Sequence, residues 1–217
     1  MSKKEKMTLE EVRRHFGLGE LLESDLAPDP FSQFRKWYAE AEEACRYYPN
    51  HMTLSTVDAD GAPQSRIVLL KAADSEGFVF YTNYLSRKGQ QLATNPIASL
   101  TFFWEELERQ VNILGKVVKV SSEESDEYFA SRARGSQIGA WVSQQSAQID
   151  NREVLQQAKE RLAETYQDKE VPRPEHWGGY RLIPEKVEFW QGQPDRLHDR
   201  LEYRLDDNDW QLRRLSP

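Results

Sequence analysis

Apolar side chains recur every three to four positions in the first part of the chain, and from about residue 51 the spacing tightens to two. Phe31, Phe34, Trp37, Tyr38 and Ala41 fall on one helical stripe. Asp29 can cap this helix, Pro30 suits its first position and Pro49 stops it. Upstream, MTLEEVRRHF predicts a short helix with Thr8 as cap and Glu11 as capping-box partner. The strand-like region opens with HMTLSTV and QSRIVLLKA around an Asp60-Gly61 turn, followed by GFVFYTN. SRKGQQLATNP predicts a helix between a Ser86 cap and Pro96, after which ASLTFFW and RQVNILGKVVKV read as strands. SSEESDEYFASR opens another helix, and NREVLQQAKERLAETYQ predicts a long surface helix. Three strands close the chain: YRLIPEKVEFWQG, RLHDRLEYRL and DWQLRRL. Seven or eight strands without regular strand–helix alternation predict a mainly β fold, a closed or split antiparallel barrel with peripheral helices.

Composition narrows the function classes. Six Trp, nine Tyr and nine Phe in 217 residues can fill a core. The balance of 29 Lys plus Arg against 36 Asp plus Glu, net −7, disfavours a nucleic-acid binder, so any anion site must be a local cluster. One cysteine, Cys45, allows no internal disulfide and no cysteine-based metal site. The N-terminus lacks a signal-like apolar segment and no run approaches a membrane span, so a soluble cytoplasmic protein is expected. No zinc spacing, Walker loop or dinucleotide fingerprint occurs.

The candidate chemistry lies in basic groups set beside apolar strands. Arg66 and Lys71 bracket four aliphatics, Ile67, Val68, Leu69 and Leu70, a run that predicts burial on both faces. Arg87 and Lys88 follow the Ser86 cap, where acidic residues are usual and two cations invite an anion. Tyr128 and Arg132 are four apart and expected on one helix face, with Ser136 beyond. In an extended strand Arg196, His198 and Arg200 share a face while Leu197 points away. That pattern alone fits either a solvated edge strand or an anion site.

The motifs SRIVLLK, FYTN followed by SRK, ERQV, SRARGSQIGAWVSQQS, FWQG and RLHDR stand in one order and spacing. Together they resemble the pyridoxamine 5′-phosphate oxidase family from about residue 20 to the C-terminal RLSP. The resemblance implies an FMN-binding split β-barrel over 21–217 after an N-terminal flap at 1–20, and a homodimer with FMN at its interface. It implies oxidation of pyridoxamine or pyridoxine 5′-phosphate to pyridoxal 5′-phosphate, with oxygen reduced to hydrogen peroxide. By the same resemblance Arg66 and Lys88 clamp the FMN phosphate, helped by Arg87 and Ser146. Ile67, Val68, Leu69, Leu70, Lys71, Tyr81, Thr82, Gln110, Gln145, Trp190 and Arg200 make further flavin contacts, some reached from the partner subunit.

On the substrate side, the resemblance places Lys71, Tyr128, Arg132 and Ser136 on the substrate phosphate. Arg196, Leu197 and His198 close over the substrate, with Arg196 and His198 as the catalytic pair and Arg13 reaching in from the flap. The family flap reads Arg-x-x-Tyr, whereas this chain has Arg13-Arg14-His15-Phe16 and lacks the hydroxyl. Trp104, Trp141, Trp177 and Trp210 are expected in packing, and His51 and His176 in structural or surface positions. The competing expectation is a non-catalytic flavin- or pyridoxal-phosphate-binding barrel, which has no need of Tyr128, Arg132, Ser136, Arg196 and His198 together.

Overall fold

The computed structural model describes residues 17–217. The expected Thr8-capped helix, Arg13, His15 and Phe16 lie outside them. Helix α1 (Pro30–Ala44) starts where expected, because Asp29 Oδ1 accepts the Phe31 and Ser32 amides at 2.9 Å. Its stripe packs on the sheet, with the Phe34 ring 4.9 Å from Phe78 and 5.1 Å from Phe102.

Nine strands form the sheet of the described residues: β1 (His51–Val57), β2 (Pro63–Leu69), β3 (Ala72–Asp74), β4 (Gly77–Asn83), β5 (Ile97–Trp104), β6 (Arg109–Lys119), β7 (Trp177–Gln191), β8 (Asp199–Asp206) and β9 (Asp209–Arg214). All pairings are antiparallel, in the order β2-β1-β5-β6-β7-β4-β3, with β8 on β7 and β9 on β8. β7 keeps β6 along one edge and shares the other between β4 and β8. The change of partner coincides with a register shift at Leu114/Gly115, opposite Pro184, whose missing N–H suits a bulge. The inward face carries the core, with Leu54, Phe80, Leu100, Val111, Ile113, Phe189 and Leu201 fully buried.

The two ends of this order, β2 and β3, are joined by only Leu70 and Lys71. The Leu70 amide donates to Asn50 O at 2.9 Å, on the β1 side, and the Lys71 amide donates to Val79 O at 2.8 Å, on β4. The sheet must therefore curl until its ends meet at this seam. Helices α2 (Arg87–Thr94), α3 (Ser122–Ser131), α4 (Arg134–Val142) and α5 (Glu153–Thr165) lie outside the sheet. A second apolar cluster of Phe129, Ile138, Ala140, Val171 and Trp177 sits under α3 and α4.

Three expectations are corrected and one helix is added. The Ile67–Leu70 run is not buried on both faces: Leu70 is, but Ile67 is 62% and Leu69 36% exposed, because β2 pairs with β1 alone among the described residues. The strand expected from Arg196 begins at Asp199, since Pro194–Arg196 form a 3-10 turn in which Asp195 and Arg196 take φ of 55° and 62°. Arg196, His198 and Arg200 therefore share no strand face, and Leu197 is 70% exposed. Arg132 is not helical, because α3 ends at Ser131 and Arg132 is extended (φ −73°, ψ 147°). Helix α4, carrying Gly135 and Gly139 and no side-chain cap, has no counterpart in the sequence pattern.

Candidate active site

A cleft of about 710 Å³ opens along the seam, between β2 and β4, and runs under α3 and α4. It gathers Arg66, Ile67, Val68, Leu69, Lys71, Tyr81, Thr82, Lys88, Tyr128, Arg132, Ser136 and Gln145, from a span of nearly eighty positions in the chain. Alternation along β2 turns the Arg66 guanidinium inward. There Nη1 donates to Thr56 Oγ1 at 2.6 Å and Nη2 to Gln91 Oε1 at 3.3 Å. Lys88 is set by helix start chemistry: Ser86 Oγ accepts the Gly89 amide at 3.3 Å, and a Cβ on Gly89 would overlap the Tyr84 carbonyl. Lys88, 9% exposed, donates through its ammonium to Gln145 Oε1 at 2.9 Å and Thr82 Oγ1 at 3.2 Å.

Among the described residues no carboxylate pairs with Arg66 or Lys88. Burial, with the Arg66 charge nearby, pulls Lys88 down from 10.5 to about 8. Burial and the Arg87 charge lower Arg66 as well. A buried and a half-buried cation held by neutral acceptors are unfavourable unless an anion joins them, and a phosphate ester suits the donors.

The far end of the cleft has a different make-up. Tyr81, Tyr128 and Trp177 stack, with Tyr81 and Tyr128 3.9 Å apart at 21°, and Trp177 lines the wall besides packing. Burial, then the Glu124 charge, pushes the Tyr81 hydroxyl up to about 12. The Arg132 guanidinium lies 4.4 Å from the Trp177 ring, and its buried Nη1 has no hydrogen-bond partner among the described residues. Lys71 Nζ stands 5.8 Å from the Tyr128 ring. This end offers a second anion subsite beside an aromatic wall.

Arg87 is exposed and lines a neighbouring groove with Ser146, whose Oγ accepts the Arg87 amide at 3.2 Å. Gln110, Trp190 and Arg200 sit apart from the cleft. They are cross-strand neighbours on β6, β7 and β8, hence on one face. Arg200 pairs bidentately with Glu188 at 2.8 and 3.0 Å. The His198 ring lies 4.6 Å from Trp190, and burial together with the Arg196 charge lowers its pKa. The cleft and this second cluster do not meet within one chain. The buried polar pair behind Arg66, Thr56 and Gln91, carries no motif and was not legible from sequence.

The chain has known relatives in sequence and in fold. A family model described as pyridoxamine 5′-phosphate oxidase covers residues 38–166, and one described as the pyridoxine 5′-phosphate oxidase C-terminal dimerisation region covers 177–217. The pyridoxine/pyridoxamine 5′-phosphate oxidase of Cupriavidus necator is 55% identical over 96% of this chain and 99% of its own. That of Acaryochloris marina is 54% identical over 97% and 96%. Among solved structures, PhzG from Burkholderia lata, in complex with tetrahydrophenazine-1-carboxylic acid, is 32% identical, covering 93% of this chain and all of that one, with a TM-score of 0.86. A pyridoxamine 5′-phosphate oxidase-related, FMN-binding protein from Nostoc punctiforme, 16% identical over 88% of this chain and all of its own, shares the fold at a TM-score of 0.70. By sequence, fold and length, the chain belongs to the pyridoxamine 5′-phosphate oxidase family.

Proposed function

We propose that the protein is an FMN-dependent oxidase that converts pyridoxamine and pyridoxine 5′-phosphate to pyridoxal 5′-phosphate, acting as a homodimer. The carrying observation is a single cleft with two cation sets, Arg66 with Lys88 and Lys71 with Arg132, spaced along an aromatic wall. One phosphate cannot use both ends, whereas a phosphorylated cofactor and a phosphorylated substrate can. FMN, when bound, supplies the hydride acceptor and the route for electrons to oxygen. Arg66 and Lys88 would hold its phosphate, and Ile67, Val68 and Leu69 of the β2 edge, which line the same cleft, would contact the rest of it. Lys71, Tyr128, Arg132 and Ser136 hold the substrate phosphate and so fix the distance of the reacting carbon from the flavin.

Gln110, Trp190, Arg196, His198 and Arg200 complete the site from the other subunit, which accounts for their separation from the cleft of their own chain. The match of residues 177–217 to a dimerisation region supports this. PhzG, with its carboxylated ligand, indicates that the fold admits other substrates, and the far cation set argues for a phosphate here.

The test mixes subunits. Arg66→Ala and His198→Ala proteins, each impaired alone, are unfolded together and refolded. Random pairing gives about half heterodimers with one intact site each, so roughly a quarter of parental activity returns. No recovery means that both residues serve one site from the same chain. Bleaching of flavin absorbance by pyridoxamine 5′-phosphate without oxygen tests the oxidase reading itself.

A further inference from the structure

The loop before β8 is built against the backbone's preference. Asp195 and Arg196 are consecutive non-glycine residues at φ of 55° and 62°, a conformation that persists only when surrounding contacts enforce it. The contacts on the residues flanking this pair converge on Asp199, whose side chain is 17% exposed. Its Oδ2 accepts the Gln193 side-chain amide at 2.8 Å and the Leu21 backbone amide at 3.1 Å. Its Oδ1 pairs with Arg214 at 2.6 Å, and Arg214 is braced by both oxygens of Glu23 at 2.8 and 2.9 Å. The Gln193 side chain also reaches Gly19 O at 2.5 Å, so it is fixed from two directions. The Gln193 backbone amide, in turn, donates to His198 Nδ1 at 3.0 Å. A neutral imidazole receiving a donor at Nδ1 carries its own proton on Nε2.

We propose that Asp199 is a positioning residue: through Gln193 it locks the loop at 192–198 so that His198 keeps Nδ1 as acceptor and offers Nε2–H to the substrate. The inference rests on the reading of His198 as a substrate contact. Asp199 itself touches neither substrate nor flavin; it acts by fixing which ring nitrogen is the donor and where the ring stands.

The experiment is a double-mutant cycle on the flavin-loaded dimer, with anaerobic single-turnover flavin reduction by pyridoxamine 5′-phosphate as the rate. Asp199→Ala should slow reduction by about tenfold, Asp199→Asn by less, and Asp199→Ala should add nothing once His198 is already alanine. Flavin content and dimer stay at parental levels. Nitrogen-15 shifts of the His198 ring, measured well above its pKa, should report a single Nε2–H tautomer in the parent and a drift toward the tautomer average in Gln193→Met. The proposal is overturned if Asp199→Ala reduces flavin at the parental rate while His198→Ala is slow, in which case the reading of His198 stands alone. It is also overturned if Asp199→Ala slows both backgrounds equally. A His198→Ala protein at the parental rate removes the reading and this inference together. Where Asp199→Ala does not fold, Gln193→Met takes its place in the cycle with the same outcomes.

Discussion

The depressed Lys88 ammonium makes flavin binding pH-dependent in a direction the geometry dictates. Without an anion Lys88 titrates at about 8. A phosphate beside it favours the charged form, so the complex holds the proton more tightly than the free protein and affinity falls as pH rises through that value. If the bound pKa returns only to the ordinary 10.5, affinity at about pH 9 is roughly tenfold below its value at about pH 7, or about 1.4 kcal/mol. The window ends below pH 7, where the ester's second ionisation, near a pKa of about 6, takes over. Quenching of flavin fluorescence on titration with flavin-free protein, at matched ionic strength, measures it. Lys88→Arg should flatten the dependence, because a guanidinium does not titrate in this range. Lys88→Met should bind weakly at every pH. A parental affinity that stays level between about pH 7 and about pH 9, or an equal slope in Lys88→Arg, would refute the reasoning. The linked effect on stability has the opposite sign. The unfolded chain binds this proton more tightly, so flavin-free protein gains stability as pH rises from about 8 toward 10.5, and bound flavin cancels the gain.

Arg66→Ala removes hydrogen bonds to a charged group and should raise the flavin dissociation constant by about 10- to 150-fold, read by the same titration. Arg132→Met should leave flavin affinity unchanged and raise KM for the phosphorylated substrate by at least about tenfold in steady-state kinetics, since Arg132 lines the far end of the cleft and its Nη1 has no hydrogen-bond partner among the described residues. Gly89→Ala forces α2 off the Tyr84 carbonyl, so flavin affinity should drop together with the thermal midpoint. Leu197→Ala should shift stability by no more than about 0.5 kcal/mol in urea unfolding, because the side chain is 70% exposed.

Legibility from sequence followed the range of the interactions. Asp29 and Ser86 caps are local chemistry, and both helices start where the pattern placed them. Strand-forming residues between turn signals located β1 and β4 to the residue. The loop at 194–198 escaped because Asp195 and Arg196 take positive φ without a glycine to announce it, and the contacts of flanking Gln193 with His198 and Asp199 carry no turn signature in the sequence. The aliphatic run after Arg66 misled for a related reason. Continuous apolar residues signal burial but do not say by what, and β2 lies at an edge where its outward side chains face the cleft. Arg66, Lys88, Tyr128 and Arg132 were named from short motifs, whereas Thr56 and Gln91 became visible only once β1 and α2 were placed side by side.

Closure of the barrel by two residues rather than by a ladder has a kinetic consequence. Along the seam β2 and β4 are held together by chain connectivity, the Lys71–Val79 hydrogen bond and whatever fills the cleft between them. Parting there breaks few backbone bonds, so the Lys71 amide and those at the start of β3 should exchange with deuterium through local opening, while those of β6 and β7 wait for global unfolding. A ligand bridging Arg66 on one lip and Lys88 beyond the other fastens that opening. Exchange at the seam then becomes a clock for cofactor residence, slowing on flavin binding where the sheet centre does not change.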